Sequence, residues 1–284
     1  MTIAMVLDMA MSIYPDRVAV GALADGMTYG QLAATAAGGG GVLAEAGAGH
    51  AVFVGENGPA LPVTAFAACA VGVPFVPLNY RLAPEQIRHL IGQLDAPVVI
   101  ADDAFLPVLA GTGVPAYSSA EFLELARRHT PAEPVPVSDA ATAVVLFTSG
   151  TTARPKGVLL RHRNLTTYVL QTVEFASAGE DEAALVSTPP YHVAGFGAIL
   201  SNLYAGRRIV YLPSFSAEAW LDTVRSERIT SAMVVPTMLA RIVDHLDGAP
   251  ADVPALRALA YGGARMPQPV LERALAAFPD TAFT

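Results

Sequence analysis

Short apolar runs alternate along this chain with stretches in which apolar positions recur every three or four residues. The runs at 18–23, 51–54, 73–77, 98–100, 143–147, 158–160, 183–187, 208–212, 229–235 and 256–261 read as strands. Helical spacing covers 3–13, 28–46, 62–71, 84–94, 118–128, 166–176, 193–204, 217–225, 236–245 and 267–278. Alternation of this kind, held almost from end to end, predicts an α/β fold with layered, largely parallel sheets and flanking helices.

Local signals sharpen several boundaries. Thr28 with Gln31, and Ser118 with Glu121, have the spacing of a capping box. Asp25-Gly26 marks a hairpin turn. Pro84 and Pro236 suit the first turn of a helix, and Ser216 suits an N-cap. Gly38 to Gly41 fall inside a predicted helix. Four glycines there cost roughly 3–4 kcal/mol against alanine, so they mark either close packing or a break. The proline-rich stretch 131–139 reads as a connection within one domain, and Asp102-Asp103 as solvated loop residues.

Bulk composition excludes several classes of function. With 284 residues, 53% of them hydrophobic and 15% charged, the chain has ample material for a core. A net charge of −8 argues against nucleic acid and against anionic membrane surfaces. Cys69 is the single cysteine, which rules out an intrachain disulfide and reads as a buried, inert thiol. No basic leader and no run of membrane-spanning length is present, so a cytoplasmic location is expected.

Against that acidic background, positive charge gathers at Arg154, Lys156, Arg161 and Arg163. They flank or follow Thr148-Ser149-Gly150-Thr151-Thr152, which leaves an apolar strand. Four hydroxyls, backbone N–H groups beside a glycine and one lysine suit a polyphosphate. A Walker A loop fails here: Pro155 stands at its second glycine and Gly157 at its hydroxyl position.

The stretch instead resembles the phosphate-binding signature TSGTTGxPKGV of the adenylate-forming superfamily, in its acyl- and aryl-CoA synthetase branch. Ala153 departs from it where glycine is usual. If that position needs positive φ, the alanine costs about 1 kcal/mol. Residues 70–91 resemble an upstream architectural motif of the same enzymes. TPPYHVAGFGAI, 188–199, resembles their P-x-x-H-x-x-G segment, and Tyr261-Gly262-Gly263-Ala264 their S-G-G-A turn.

The resemblance implies roles. Lys156, with Thr148, Ser149, Gly150, Thr151 and Thr152, would hold the ATP phosphates, and Gly262, Gly263 and Ala264 would lie along the adenine. His192 would stand between triphosphate and acid, with Val193, Ala194, Gly195 and Tyr261 beside the acid. No carboxylate stands near His192 to pair with an α-ammonium group, so a fatty or aryl acid fits better than an amino acid. The implied reaction uses ATP with Mg2+ to form an acyl-adenylate, then CoA to displace AMP. An acyl carrier protein is the alternative acceptor, and a non-catalytic nucleotide-binding fragment the alternative role. No residue is assigned to metal. Residues 1–284 correspond to an incomplete N-terminal adenylation domain, without the Y-G-x-T-E segment and the small C-terminal domain. Low activity of the chain alone is therefore expected.

Overall fold

The computed structural model describes residues 1–133, 135–148 and 155–284. Among these, strands fall into two sheets. The first contains β1 (Val18–Val20), β2 (Met27–Thr28), β9 (Ala183–Val186), β10 (Arg208–Tyr211), β11 (Ser231–Val234), β12 (Ala258–Tyr261) and β13 (Ala282–Phe283), in the order β13-β12-β11-β9-β10-β1-β2. The second contains β3 (His50–Val54), β4 (Phe75–Pro77), β5 (Pro97–Ala101), β6 (Ala116–Ser118), β7 (Thr142–Thr148) and β8 (Lys156–Arg161), in the order β6-β5-β3-β4-β7-β8. Pairing is parallel except at the hairpin β1–β2 and at β7–β8.

Strand side chains alternate between two burial environments, as the pleat requires. Ala51 and Phe53 enter the central core while Val52 and Val54 enter an outer one. Val98 and Ile100 likewise face inward, Val99 and Ala101 outward. In the first sheet Ile209 faces the central core and Val210 the opposite side. The central layer holds α1 (Ala4–Ile13), α2 (Tyr29–Glu45), α3 (Ala60–Ala70) and α7 (Val193–Ala205) between the sheets. Outside the first sheet lie α8 (Ala217–Ser226), α9 (Pro236–Leu246) and α10 (Gln268–Ala277). Outside the second lie α4 (Pro84–Ile91) and a 3₁₀ turn, Leu106–Leu109. Two helices remain: α5 (Ser119–Arg128) adds Phe122 and α6 (His162–Thr172) adds Leu165 and Val169 to the central core.

Both capping boxes form: Thr28 Oγ1 accepts from Gln31 N–H at 3.1 Å and Ser118 Oγ from Glu121 N–H at 3.0 Å. The four glycines sit in unbroken helix, and close packing explains them. A Cβ on Gly38 would run into the Ala126 carbonyl of α5, and one on Gly41 into the Thr130 carbonyl. On Gly40 it would lie 3.2 Å from Ala70 Cβ of α3.

Two expectations need correction, and two short strands are added. Asp102 is not a solvated loop residue: its carboxylate accepts from Glu56 N–H at 2.7 Å and Ser119 Oγ–H at 2.5 Å, stapling the ends of β3 and β5 to the start of α5. Helix α6 runs 162–172 rather than 166–176, because the Asn164 side chain accepts from Arg161 N–H at 3.1 Å and starts it early. Its end is fixed nearby by Ala176, whose φ is +53° and whose N–H donates to Tyr204 O at 3.1 Å. The short strands β6 and β13 were not foreseen, since two or three residues carry no readable period.

Candidate functional site

In open parallel sheets ligands bind beyond the carboxyl ends of the strands. Here Val186 of β9 and Ala260 of β12 flank Met233 of β11 in register. The segments leaving these strands therefore emerge side by side on one rim. Residues 187–192 leave β9, Val235 leaves β11, and Gly262-Gly263 leave β12. Two strand spacings separate the first from the last, roughly 10 Å.

The segment after β9 is held from both sheets. Ser187 Oγ–H donates to Met233 O at 3.4 Å, and Asn57 Nδ2–H, from the turn after β3, donates to Thr188 O at 3.0 Å. The chain then turns so that His192 N–H meets Pro189 O at 3.2 Å. His192 occupies the N-cap of α7 without a side-chain capping bond. Gly195 is buried where a Cβ would stand 2.8 Å from Pro189 O, so only glycine permits this turn to close on the helix. The imidazole packs on the Tyr191 ring, with centroids 4.7 Å apart. Although His192 is exposed overall, partial desolvation of its ring, and secondarily the Arg81 guanidinium, lower its pKa from the ordinary value, which favours the neutral ring.

The β7–β8 hairpin reaches the same place from the second sheet. Thr148 pairs with Lys156 across it, and the Thr148 hydroxyl donates to Lys156 O at 3.5 Å. Lys156 is exposed and is the only lysine in the chain. Ser149, Gly150, Thr151 and Thr152 lie outside the described residues.

A cavity of about 560 Å³ joins the two halves of the site, with Thr148, Tyr191, His192 and Val193 among its walls. Leu82, Leu90, Phe147 and Val158 make much of the remainder apolar, and none of the described lining residues is acidic. Thr148, His192 and Val193 are thus brought together, with Lys156 at the end of the same hairpin. Ala194, Gly195 and Tyr261 to Ala264 do not line this cavity. Gly262 and Gly263 lie along the rim against Met233 and Val235, and Gly263 has φ +84°, a conformation glycine adopts without strain. A smaller cleft of about 170 Å³ lies beneath α7, between Ala198 and Asn202 of the helix and Ala184, Met233 and Ala260 of the sheet. Another cavity, about 700 Å³, lies at the β1–β2 hairpin and touches none of these residues.

Sequence reasoning missed Asn57, whose amide ties the two sheets together beside the site, and Asn79 and Tyr191 in the cavity wall. Asn79 stands in the 70–91 stretch that read as architectural, so that stretch also shapes the cavity. Among the described residues no cluster of three His, Cys, Asp or Glu side chains is placed to hold a metal. Among the described residues, too, no helix is long and apolar enough to cross a membrane.

Comparison with known proteins gives concordant matches. A family model described as AMP-binding enzyme matches residues 7–284. Feruloyl-CoA synthase of an Amycolatopsis species is 34% identical over 230 residues, 78% of this chain and 46% of that protein. The fatty acid–acyl-carrier-protein ligase ScoC of Streptomyces coeruleorubidus is 30% identical over 74% of this chain and 43% of its own length. The chain thus spans about half the length of these curated relatives. An inhibitor-bound N-terminal domain of FACL13 from Mycobacterium tuberculosis shares the fold, with a TM-score of 0.85, 23% identity, and coverage of 97% of this chain and 73% of that one.

Proposed function

The chain belongs to the AMP-binding enzyme family, and from that premise we propose that it carries the acid-activating half of an AMP-forming acyl-CoA synthetase. The substrate is a fatty or aryl carboxylic acid without an α-amino group. One observation carries the reading: the Thr148 end of the hairpin and His192 face a single, largely apolar cavity whose described walls hold no carboxylate. A bound α-ammonium group would be left without a partner there.

In the proposed reaction a carboxylate oxygen attacks the α-phosphorus of ATP, and the bond to the bridging oxygen breaks as pyrophosphate leaves. The thiol of CoA then attacks the acyl carbon, losing its proton to solvent, and AMP departs with the bonding electrons. No protein nucleophile is required; positioning and charge stabilisation suffice. Lys156 holds the β/γ end of the triphosphate. His192, neutral, presents ring nitrogens between phosphate and acid without adding a positive charge to the cavity. The leucines of the cavity exclude water from the mixed anhydride, and Val193 stands at its exposed edge. Mg2+ bound to the triphosphate would offset part of its charge. ATP and CoA as co-substrates fit a cytoplasmic reaction.

Similarity to ScoC, a ligase named for an acyl carrier protein, favours a second acceptor for the same adenylate. The test is pyrophosphate release by the complete gene product containing this chain, with ATP, Mg2+ and fatty, aryl and amino acids. Release with a fatty or aryl acid, cut roughly 100-fold or more by Lys156→Ala, supports the reading. Release with amino acids alone, or with no acid, contradicts it. Supplying CoA or a phosphopantetheinyl carrier protein then identifies the acceptor.

A further inference from the structure

His192 is central to this reading, yet its ring makes no hydrogen bond among the described residues, and it does not cap its own helix. A histidine at a helix N-cap, free of both constraints, has several rotamers open to it. What touches the ring is Tyr191, with centroids 4.7 Å apart and planes inclined by 50°. Tyr191 is itself backed by Tyr80, edge-on at 5.7 Å and 74°. Phe105 packs on Tyr80 at 5.2 Å, and the Arg81 guanidinium lies 5.5 Å from the Tyr80 ring centre. The turn carrying Tyr80 is in turn fixed by the Asn79 side chain, which accepts from Arg81 N–H at 3.0 Å. These groups form a ladder that starts in the second sheet's outer core and ends at the site. Phe105 and Tyr80 pack against that core beside α4, whereas His192 belongs to the first sheet's rim. The ladder is a run of side-chain contacts that relates the imidazole to the half of the molecule bearing the β7–β8 hairpin.

We propose that Tyr191, braced by Tyr80, is the positioning residue that fixes the His192 ring in the wall of the cavity shared with Thr148. The role requires an aromatic face and not a phenol, because the contact is ring to ring. Aromatic pairs of this geometry bias the packed rotamer by roughly two- to tenfold each. Tyr191 acts through His192 and does not itself take part in the proposed chemistry. The inference rests on the assignment of His192 to the site, so its test has one arm that does not depend on activity.

That arm is NMR of the His192 ring in this chain, assigned by difference from His192→Gln. Stacking on Tyr191 displaces its carbon-bound proton resonances by ring current. In Tyr191→Ala they move to unstacked values, in Tyr191→Phe they stay, and Tyr80→Ala moves them part of the way. If Tyr191→Ala does not fold, Tyr191→Leu, which keeps the bulk without the aromatic face, carries the same expectation. Unmoved resonances in the folded alanine or leucine variant overturn the proposal, and so does a phenylalanine variant that behaves like alanine. The second arm uses the complete gene product. Tyr191→Ala lowers kcat for pyrophosphate release roughly two- to tenfold at an unchanged KM for ATP, and Tyr191→Phe restores it. A raised KM with unchanged kcat assigns Tyr191 to nucleotide binding and overturns the positioning role. Displaced resonances in a gene product that releases no pyrophosphate leave the positioning intact and remove the functional reading instead.

Discussion

Asn57 offers the sharpest test of how the two sheets are joined at the site. Its side chain is 4% exposed. The amide donates to Thr188 O at 3.0 Å and, more weakly, to Leu212 O at 3.5 Å, while Oδ1 has no partner among the described residues. Replacing it with alanine leaves the buried Thr188 carbonyl without this donor, about 1–3 kcal/mol, and removes the unpartnered Oδ1, which offsets part of that. A net loss of about 1–2 kcal/mol follows, a fall in Tm of about 2–8 °C for a domain of this size. Asn57→Asp is nearly isosteric yet predicted to be worse. It turns a buried anion toward two carbonyl oxygens, and an uncompensated buried charge costs about 3–5 kcal/mol. The same penalty raises the folded-state pKa of that carboxyl above its unfolded value. A group whose folded pKa is raised gives stability that is present at low pH and lost as pH rises through the folded value. Urea unfolding should therefore show the aspartate variant close to alanine near pH 5 and well below it at pH 8. An aspartate variant as stable as the parent at pH 8, or a gap independent of pH, would refute the reasoning.

Other consequences are simpler to measure. Gly38→Ala should destabilise by about 1–3 kcal/mol despite a helix-propensity gain of about 1 kcal/mol, because the new Cβ meets the Ala126 carbonyl; a higher Tm would show that α2 and α5 are not in contact there. The Cys69 thiol, 4% exposed, is pushed up to about 11, mainly by burial. A thiol reagent at pH 8 should thus leave the native chain nearly unlabelled and label it rapidly in denaturant, whereas fast native labelling would contradict the burial of α3.

What was legible in the sequence depended on how local its cause was. Thr28 with Gln31 and Ser118 with Glu121 lie within one helical turn of each other, and both boxes formed as spelled. The strand and helix alternation survived because each strand needs only its own apolar run. Asp102 was misread because its donors, Glu56 N–H and Ser119 Oγ–H, are 46 and 17 residues away. The glycine run stayed ambiguous for the same reason, its obstacle being α5. At the candidate site, two separate sequence motifs single out Thr148 with Lys156 and His192, and of these Thr148 and His192 line one cavity. Tyr80 and Asn57 were not, since an aromatic ladder and a single cross-sheet amide leave no pattern in a linear sequence.

The central claim is that the β7–β8 hairpin and the rim at His192 form a nucleotide site, and the only lysine of the chain provides its most direct test. The measurement is the rate at which an amine-acylating reagent modifies Lys156, followed by mass spectrometry against rising ATP, with the terminal amine as internal reference. Saturable protection of Lys156 alone, weakened in His192→Ala, is the predicted result. A Lys156 rate unchanged up to millimolar ATP in the folded chain would contradict the account.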